Sequence, residues 1–437
     1  MAEPIDLLIF SRWIIPVEPA GVLPNHALAV KGGRIVAILP TDDARSRYAA
    51  REIVELPHHA LIPGLINLHT HAAMSLLRGF GDDLPLMEWL TSKIWPAEQA
   101  LVSADFVRDG TLLACAEMLA GGITCFNDMY FFPGAAAEAA LETGMRASLG
   151  MIVMDFPTAY ASGAEDSLEK GLAVRDRYKG EPLLSFAFAP HAPYTVSDDA
   201  LARINVLAEQ LDAPVHIHLH ETAAEIEESQ LKFGIRPMER LARAGLLSPQ
   251  LIAVHAVYLL EGEIDTLARY GCHIAHCPAS NLKLASGLPP VHKWLMAGIN
   301  VGIGTDGAAS NNRLDMFAEM RLAALLAKGV SCQASTLPAA KALEAATLGG
   351  ARALGLEEHI GSLAPGKRAD MVAVDLSGFI TQPVFDAVSH LVYAAGREQV
   401  SHVWVDGKLL AQNGRPLKLD LADLKARIAY WSAKLAV

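Results

Sequence analysis

Short apolar runs alternate with amphipathic stretches through the middle of the chain. Eight runs stand out: Leu65 to His69, Ile123 to Asp128, Arg146 to Met154, Leu184 to Pro190, Val215 to His220, Leu251 to Val257, Cys272 to His276 and Asn300 to Thr305. Runs of this length read as parallel strands buried on both faces. Helical periodicity at Phe106–Leu119, Ala200–Leu211, Ile264–Tyr270 and Asp315–Leu326 supplies crossovers between them. Eight β-then-α units predict an α/β fold of the closed (β/α)₈ TIM-barrel type. No GxGxxG turn follows the first run, which argues against a dinucleotide-binding sheet.

The two ends of the chain have a different texture. His26–Val30 and Ile35–Leu39 flank Lys31-Gly32-Gly33-Arg34, the pattern of a hairpin, and the stretches Asp370–Val374 and His402–Leu410 are strand-like as well. A small β-sandwich domain assembled from residues 1–61 and 363–437 is expected, around a barrel at 62–362.

Composition narrows the function. Of 437 residues, 52% are hydrophobic and 19% charged, enough apolar material for a large core. A net charge of -12 with no Lys/Arg run disfavours nucleic acid as a partner. No apolar run approaches the roughly 18 residues of a membrane span, so no membrane partner is expected. The five cysteines form no CxxC pair, and the acidic N-terminus does not resemble an export signal, so a reducing cytoplasmic setting is expected. A homo-oligomer is expected too.

The chemistry lies at the carboxyl ends of the runs, where barrel enzymes keep their active sites. The first run ends in Leu68-His69-Thr70-His71, the fourth in Pro190-His191, and the fifth in His216-Ile217-His218-Leu219-His220-Glu221. The sixth carries His255, the seventh His276, and the eighth runs into Thr305-Asp306-Gly307. In extended backbone, residues i and i+2 point the same way, so His69 and His71 can present two imidazoles to one ion. Imidazoles with one carboxylate suit Zn²⁺, and His69, His71, His218 and Asp306 form such a set. Bound zinc lowers the pKa of water to about 7. Glu221, three residues after His218, is the candidate general acid/base, with His255 placed to hydrogen-bond the attacking water or the adduct. His216 or His220 could replace His218 as the ligand, and His276 could be catalytic or structural.

At these residues the chain resembles the amidohydrolase superfamily, in its branch of 5'-methylthioadenosine/S-adenosylhomocysteine deaminases. The resemblance runs from Pro63-Gly64-Leu65-Ile66-Asn67-Leu68-His69-Thr70-His71 through Leu76-Leu77-Arg78-Gly79, Ala189-Pro190-His191-Ala192-Pro193-Tyr194 and His218-Leu219-His220-Glu221-Thr222. It continues with His276-Cys277-Pro278-Ala279-Ser280-Asn281 and Gly304-Thr305-Asp306-Gly307, ending in Gly361–Asp370. It implies one metal, usually zinc, on His69, His71, His218 and Asp306, with Glu221 shuttling protons and Asp306 assisting the water. It further implies that Glu98 binds ribose hydroxyls, that His191 contacts the nucleoside, and that Arg146 lies near the substrate. The family's second arginine, which meets the S-adenosylhomocysteine carboxylate, has no counterpart in Thr158–Gly163. The fourth run also lacks the lysine that bridges two metals in related barrels. The implied reaction is deamination of a nucleoside to the inosine analogue, with 5'-methylthioadenosine favoured.

Other readings keep or discard the site. A free heterocycle (guanine, 8-oxoguanine, cytosine, a pterin or an s-triazine) could replace the nucleoside. Cys277 has no activating partner evident in sequence and reads as packing rather than a thiol nucleophile. A catalytically silent scaffold would have lost ligands that this chain retains.

Overall fold

The computed structural model describes residues 2–435. Its first four strands are β1 (Glu3–Ile14), β2 (Leu23–Lys31), β3 (Arg34–Pro40) and β4 (Tyr48–Pro63). Eight more follow: β5 (Leu65–Thr70), β6 (Ile123–Asp128), β7 (Arg146–Val153), β8 (Leu184–Pro190), β9 (Val215–Leu219), β10 (Leu251–His255), β11 (His273–His276) and β12 (Asn300–Ile303). The last are β13 (Met371–Asp375), β14 (Val400–Val405), β15 (Lys408–Gln412) and β16 (Arg415–Pro416).

Strands β5 to β12 pair in sequence order, all parallel, as the inner sheet of a TIM barrel. Every residue of β5, β6 and β7 is buried, which is why these strands read as continuous apolar runs. Among the described residues no regular ladder pairs β12 with β5; the Asn67 side chain and one backbone bond just past the strand ends close the ring there. Asn67 Oδ1 accepts from Thr305 N at 2.9 Å, its amide donates to Thr305 Oγ1 at 2.7 Å, and Asp306 N donates to His69 O at 2.9 Å. The approach is so close that a Cβ on Gly304 would sit 2.8 Å from the His69 backbone nitrogen.

The crossover helices start where side chains cap them. Ser103 Oγ accepts from Phe106 N at the head of helix Ala104–Ala120, Ser197 caps Asp198–Leu211, Thr222 caps Ala223–Phe233 and Asp315 caps Met316–Ser331. The helices expected from Phe106 and Ala200 start two residues earlier, at Ala104 and Asp198, and the one expected from Asp315 starts at Met316 with Asp315 as its cap. A helical stretch that periodicity did not reveal spans Leu86–Leu101, with a wide turn at Leu90–Ile94 and Pro96 just beyond it. Proline lacks the N–H that a regular turn would need, so the sequence looks broken where the chain stays helical.

The termini build the second sheet, in the order β16-β15-β14-β13-β4-β1-β2-β3. Gly32 and Gly33, both at positive φ, turn the expected β2–β3 hairpin. The sheet curls so that this hairpin meets the β14–β15 turn: Ala369 N donates to Gly33 O at 2.9 Å, and Ile35, Leu56, Met371 and Trp404 share one core. Not all of 363–437 belongs to this unit, contrary to expectation. Helix Leu421–Leu435 lies on helix Ala104–Ala120 of the barrel, where Trp431 and Arg427 both donate to the buried Asp109. No described helix is long and apolar enough to cross a membrane.

Candidate metal centre and active-site cleft

The carboxyl ends of the barrel strands bring together two triads that share His69: the buried His69, His218 and His255, and His69 with the half-buried His71 and the buried Asp306. His69 Nε2 lies 3.2 Å from His218 Nε2 and 3.2 Å from Asp306 Oδ1, and His71 Nε2 is 3.2 Å from the same oxygen. For ligands roughly 2.0–2.1 Å from a tetrahedral zinc, adjacent donor atoms stand about 3.3–3.4 Å apart. The donor chemistry and these three contacts suit such an ion; His218 groups with His69 and His255, so it has to close toward His71 and Asp306 for all four donors to share one ion.

Each imidazole is oriented from behind. His71 Nδ1 donates to Met129 O at 2.5 Å and His218 Nδ1 to His191 O at 2.7 Å, leaving both Nε2 atoms facing the centre. His69 Nδ1 rests 2.9 Å from His216 Nε2, so His216 stands behind His69, away from the centre that the other Nε2 atoms face. His220 faces away, accepting from Met238 N at 3.1 Å. Of the three histidines on β9 and its end, the structure turns His218 toward the cluster.

Burial pulls His69 down to about 4 and His191 to about 3, and takes His216 and His218 well below the ordinary imidazole value, so all four are neutral near pH 7. Burial lowers His71 too, but the hydrogen bond and charge of Asp306 outweigh it and raise His71 to about 9. Burial alone would raise Asp306; its two histidine partners hold it well below the usual carboxylate range. Ser280 Oγ donates to its other oxygen at 2.5 Å. His69 and His218, already neutral, and the ionised Asp306 suit a divalent metal, and His71 would release its proton on joining them.

Glu221 follows β9 with 6% exposure. Burial raises its carboxyl above the ordinary value, opposed by His255 and by a 3.3 Å bond from Ser286 Oγ. Its Oε2 lies 3.7 Å from His255 Nε2, beyond direct hydrogen-bond reach. His220, His255 and Asp306, at the ends of β9, β10 and β12, adopt left-handed φ values of 53°, 68° and 61°. Such backbone is costly for non-glycine residues and concentrates where side chains are re-aimed for function.

The cleft above the cluster has a cavity volume of about 80 Å³ and is lined by His71, His191, Glu221, His255 and Asp306 together with an apolar wall of Trp89, Leu90, Ile94, Trp95 and Met154. Glu98, on the helical segment Trp95–Leu101, also lines it; Tyr130 OH donates to its Oε1 at 2.7 Å, and burial raises its carboxyl to about 7. Cys277 is buried with its thiol pushed well above the usual range, unfit as a nucleophile.

Arg146 must be corrected. It opens β7, at the amino end of the strand, whereas the cluster sits at the carboxyl ends. Its Nε donates to Asp370 Oδ2 at 2.8 Å and its Nη2 to Asp406 Oδ1 at 2.9 Å, tying the barrel to the terminal sheet. Two acids at a domain junction, with Asp370 side chain 2% exposed, need a cation, and Arg146 supplies it.

Several residues at the site were not picked out from sequence. Glu225 accepts from the backbone nitrogens of His220 and Glu221 at 3.1 and 2.9 Å, pinning the turn that presents Glu221. The signal was Thr222-Ala223-Ala224-Glu225, a capping-box pattern. Ser280 and Asn281, which hold Asp306 and His255, sit on the short helix opened by Pro278. Tyr130 had no local signal.

Residues 60–410 match the Amidohydrolase family. The chain belongs to that family. One amidohydrolase relative, the 5-methylthioadenosine/S-adenosylhomocysteine deaminase of Saccharophagus degradans, is 50% identical over 99% of this chain and 97% of its own. An adenosine deaminase from Xanthomonas campestris, solved with bound zinc, is 51% identical, covers 100% of both chains and superposes with a TM-score of 0.98. A zinc complex of the atrazine chlorohydrolase of Arthrobacter aurescens is more distant, 26% identical over 97% of this chain and 99% of its own, with a TM-score of 0.90.

Proposed function

We propose that this amidohydrolase hydrolyses the 6-amino group of 5'-methylthioadenosine, giving the inosine analogue and ammonia, with one zinc ion held by His69, His71, His218 and Asp306. The observation that carries the reading is a single cleft with two acids in separate walls: the buried Glu221 beside the histidine cluster, and the half-buried Glu98 on a helix lined with aromatic and aliphatic side chains. Bound zinc would supply Lewis acidity, letting water ionise near neutral pH. Glu221, poised by burial, takes a proton and delivers it to the purine ring nitrogen next to the reacting carbon. His255 offers Nε2 to the attacking water, and the purine ring packs on the apolar wall. Glu98 accepts hydrogen bonds from the ribose hydroxyls, and His191 lies against the nucleoside. The deaminase name of the full-length relative supports the reaction.

Beyond Glu98 the cleft continues into an outer chamber lined by Trp95, Val102, Phe131, Met154, Phe156 and Pro157. Neither space has a lysine or arginine in its lining among the described residues. An uncharged methylthio group suits this chamber, while the amino-acid carboxylate of S-adenosylhomocysteine would lie unpaired. The expected kcat/KM is at least about ten-fold higher for the methylthio substrate, the equivalent of ~1.4 kcal/mol. Comparable efficiencies in a direct ammonia-release assay would reverse the preference.

The competing substrate class is a free heterocycle, in keeping with the triazine-cleaving relative. Glu98→Ala separates the two: turnover of nucleosides should fall by roughly 10- to 100-fold, with little change for the free bases. Equal effects on both would remove the ribose role. The proposal also takes the enzyme to be cytoplasmic and homo-oligomeric; the exposed loop residues Phe379, Ile380 and Phe385 offer an apolar surface for assembly. Sedimentation of the purified chain as a monomer would reject the oligomer.

A further inference from the structure

The side-chain oxygen of Asn281 accepts a hydrogen bond from His255 Nδ1 at 2.8 Å, with both residues 1% exposed. That bond sets more than the angle of the ring. With the proton on Nδ1, the neutral imidazole presents a lone pair on Nε2, the nitrogen that faces Glu221. If the amide turned over, its NH₂ would donate to Nδ1 and drive the proton to Nε2, inverting what His255 offers the cleft. Some group has to hold the amide in place. Among the described residues, no protein atom bonds Asn281 Nδ2, and both ring nitrogens of the 1%-exposed His276 are likewise without partners. These two side chains line one small void, walled elsewhere by Pro289, Val291 and Ala327, with room for a single water molecule.

We propose that Asn281 is a positioning residue that sets the tautomer of His255, and that a buried water, accepting from Asn281 Nδ2 and donating to His276, locks its amide. The inference rests on the deaminase reading only in giving His255 a role toward substrate. Buried polar groups rarely stay unpaired, and a lone water with two polar partners is the usual remedy.

The zinc-loaded protein, crystallised to high resolution, should show a water within hydrogen-bond distance of both Asn281 Nδ2 and a ring nitrogen of His276. A dry void overturns the proposal. In protein labelled with ¹⁵N-histidine, the signals lost in His255→Asn should report a protonated Nδ1; a protonated Nε2 with a bare Nδ1 also overturns it. Kinetically, Asn281→Leu should lower kcat by roughly 10- to 100-fold with KM within about three-fold, while Asn281→Asp, which keeps an acceptor, retains most of the activity. Equal losses in the two variants would make Asn281 merely structural. Should Asn281→Leu fail to fold, His276→Phe against His276→Gln carries the same comparison, with glutamine expected to restore what phenylalanine loses. The water and the tautomer are read without substrate, so they stand or fall separately from deamination.

Discussion

Glu221→Gln is expected to lower kcat by roughly 10²- to 10⁴-fold, the size of a general acid/base contribution, with KM nearly unchanged. Glutamine keeps the length of the side chain and an oxygen to accept from Ser286 Oγ, so the pocket retains its shape. Glu225 continues to hold the backbone nitrogen of residue 221, so the turn does not depend on the substituted carboxylate. The amide, however, cannot take up a proton and hand it on. Metal content measured on the purified variant should equal that of the wild type, because His69, His71, His218 and Asp306 are untouched. Turnover within a factor of ten of the parent would remove Glu221 from the proton path.

The largest loss of stability is expected from Arg146→Met, about 3–5 kcal/mol, the usual consequence of removing one partner from a buried ion pair. Methionine fills much of the same volume but leaves Asp370 without its cation and Asp406 with only Arg368, 3.7 Å away. Asp370 Oδ1 still accepts from Asp406 N at 2.8 Å, so the two chain segments stay adjacent while their charges repel. Urea midpoints and thermal-shift curves should both drop, and Asp406→Asn added to Arg146→Met should recover part of the loss. KM of the folded fraction should not move. A raised KM at unchanged stability would return Arg146 to the substrate.

The two outcomes trace how much of the molecule could be read before folding. The barrel was legible because strands such as β6 and β7 are buried over their whole length, so apolar residues dominate each run and only small polar ones such as Thr124 and Ser148 fall inside it. The larger polar side chains collect toward the carboxyl ends, which is how His69, His218 and Asp306 stood out as candidates. Arg146 broke this logic by standing at the other end of its strand, where its partners, more than 200 positions away in sequence, are invisible to any local pattern. Glu98 was reached through resemblance alone, since Pro96 and the wide turn disguise the helix that carries it. Tautomers are less legible still. What Asn281 does for His255 depends on a short helix opened by Pro278 and on the left-handed backbone at His255, neither of which leaves a periodic trace.

The gap between β12 and β5, bridged by Asn67 and Thr305 across 238 positions of sequence, has a thermodynamic consequence. An ion clasped by His69 and His71 on one bank and Asp306 on the other would act as a removable cross-link between the two ends of the barrel chain. The unfolded polypeptide would be relieved of a very large loop whenever the clasp opens, and the entropy gained grows only with the logarithm of that loop's length. Loading the ion and fastening the cylinder are then one linked equilibrium, so chelation should loosen the first and last staves before any others.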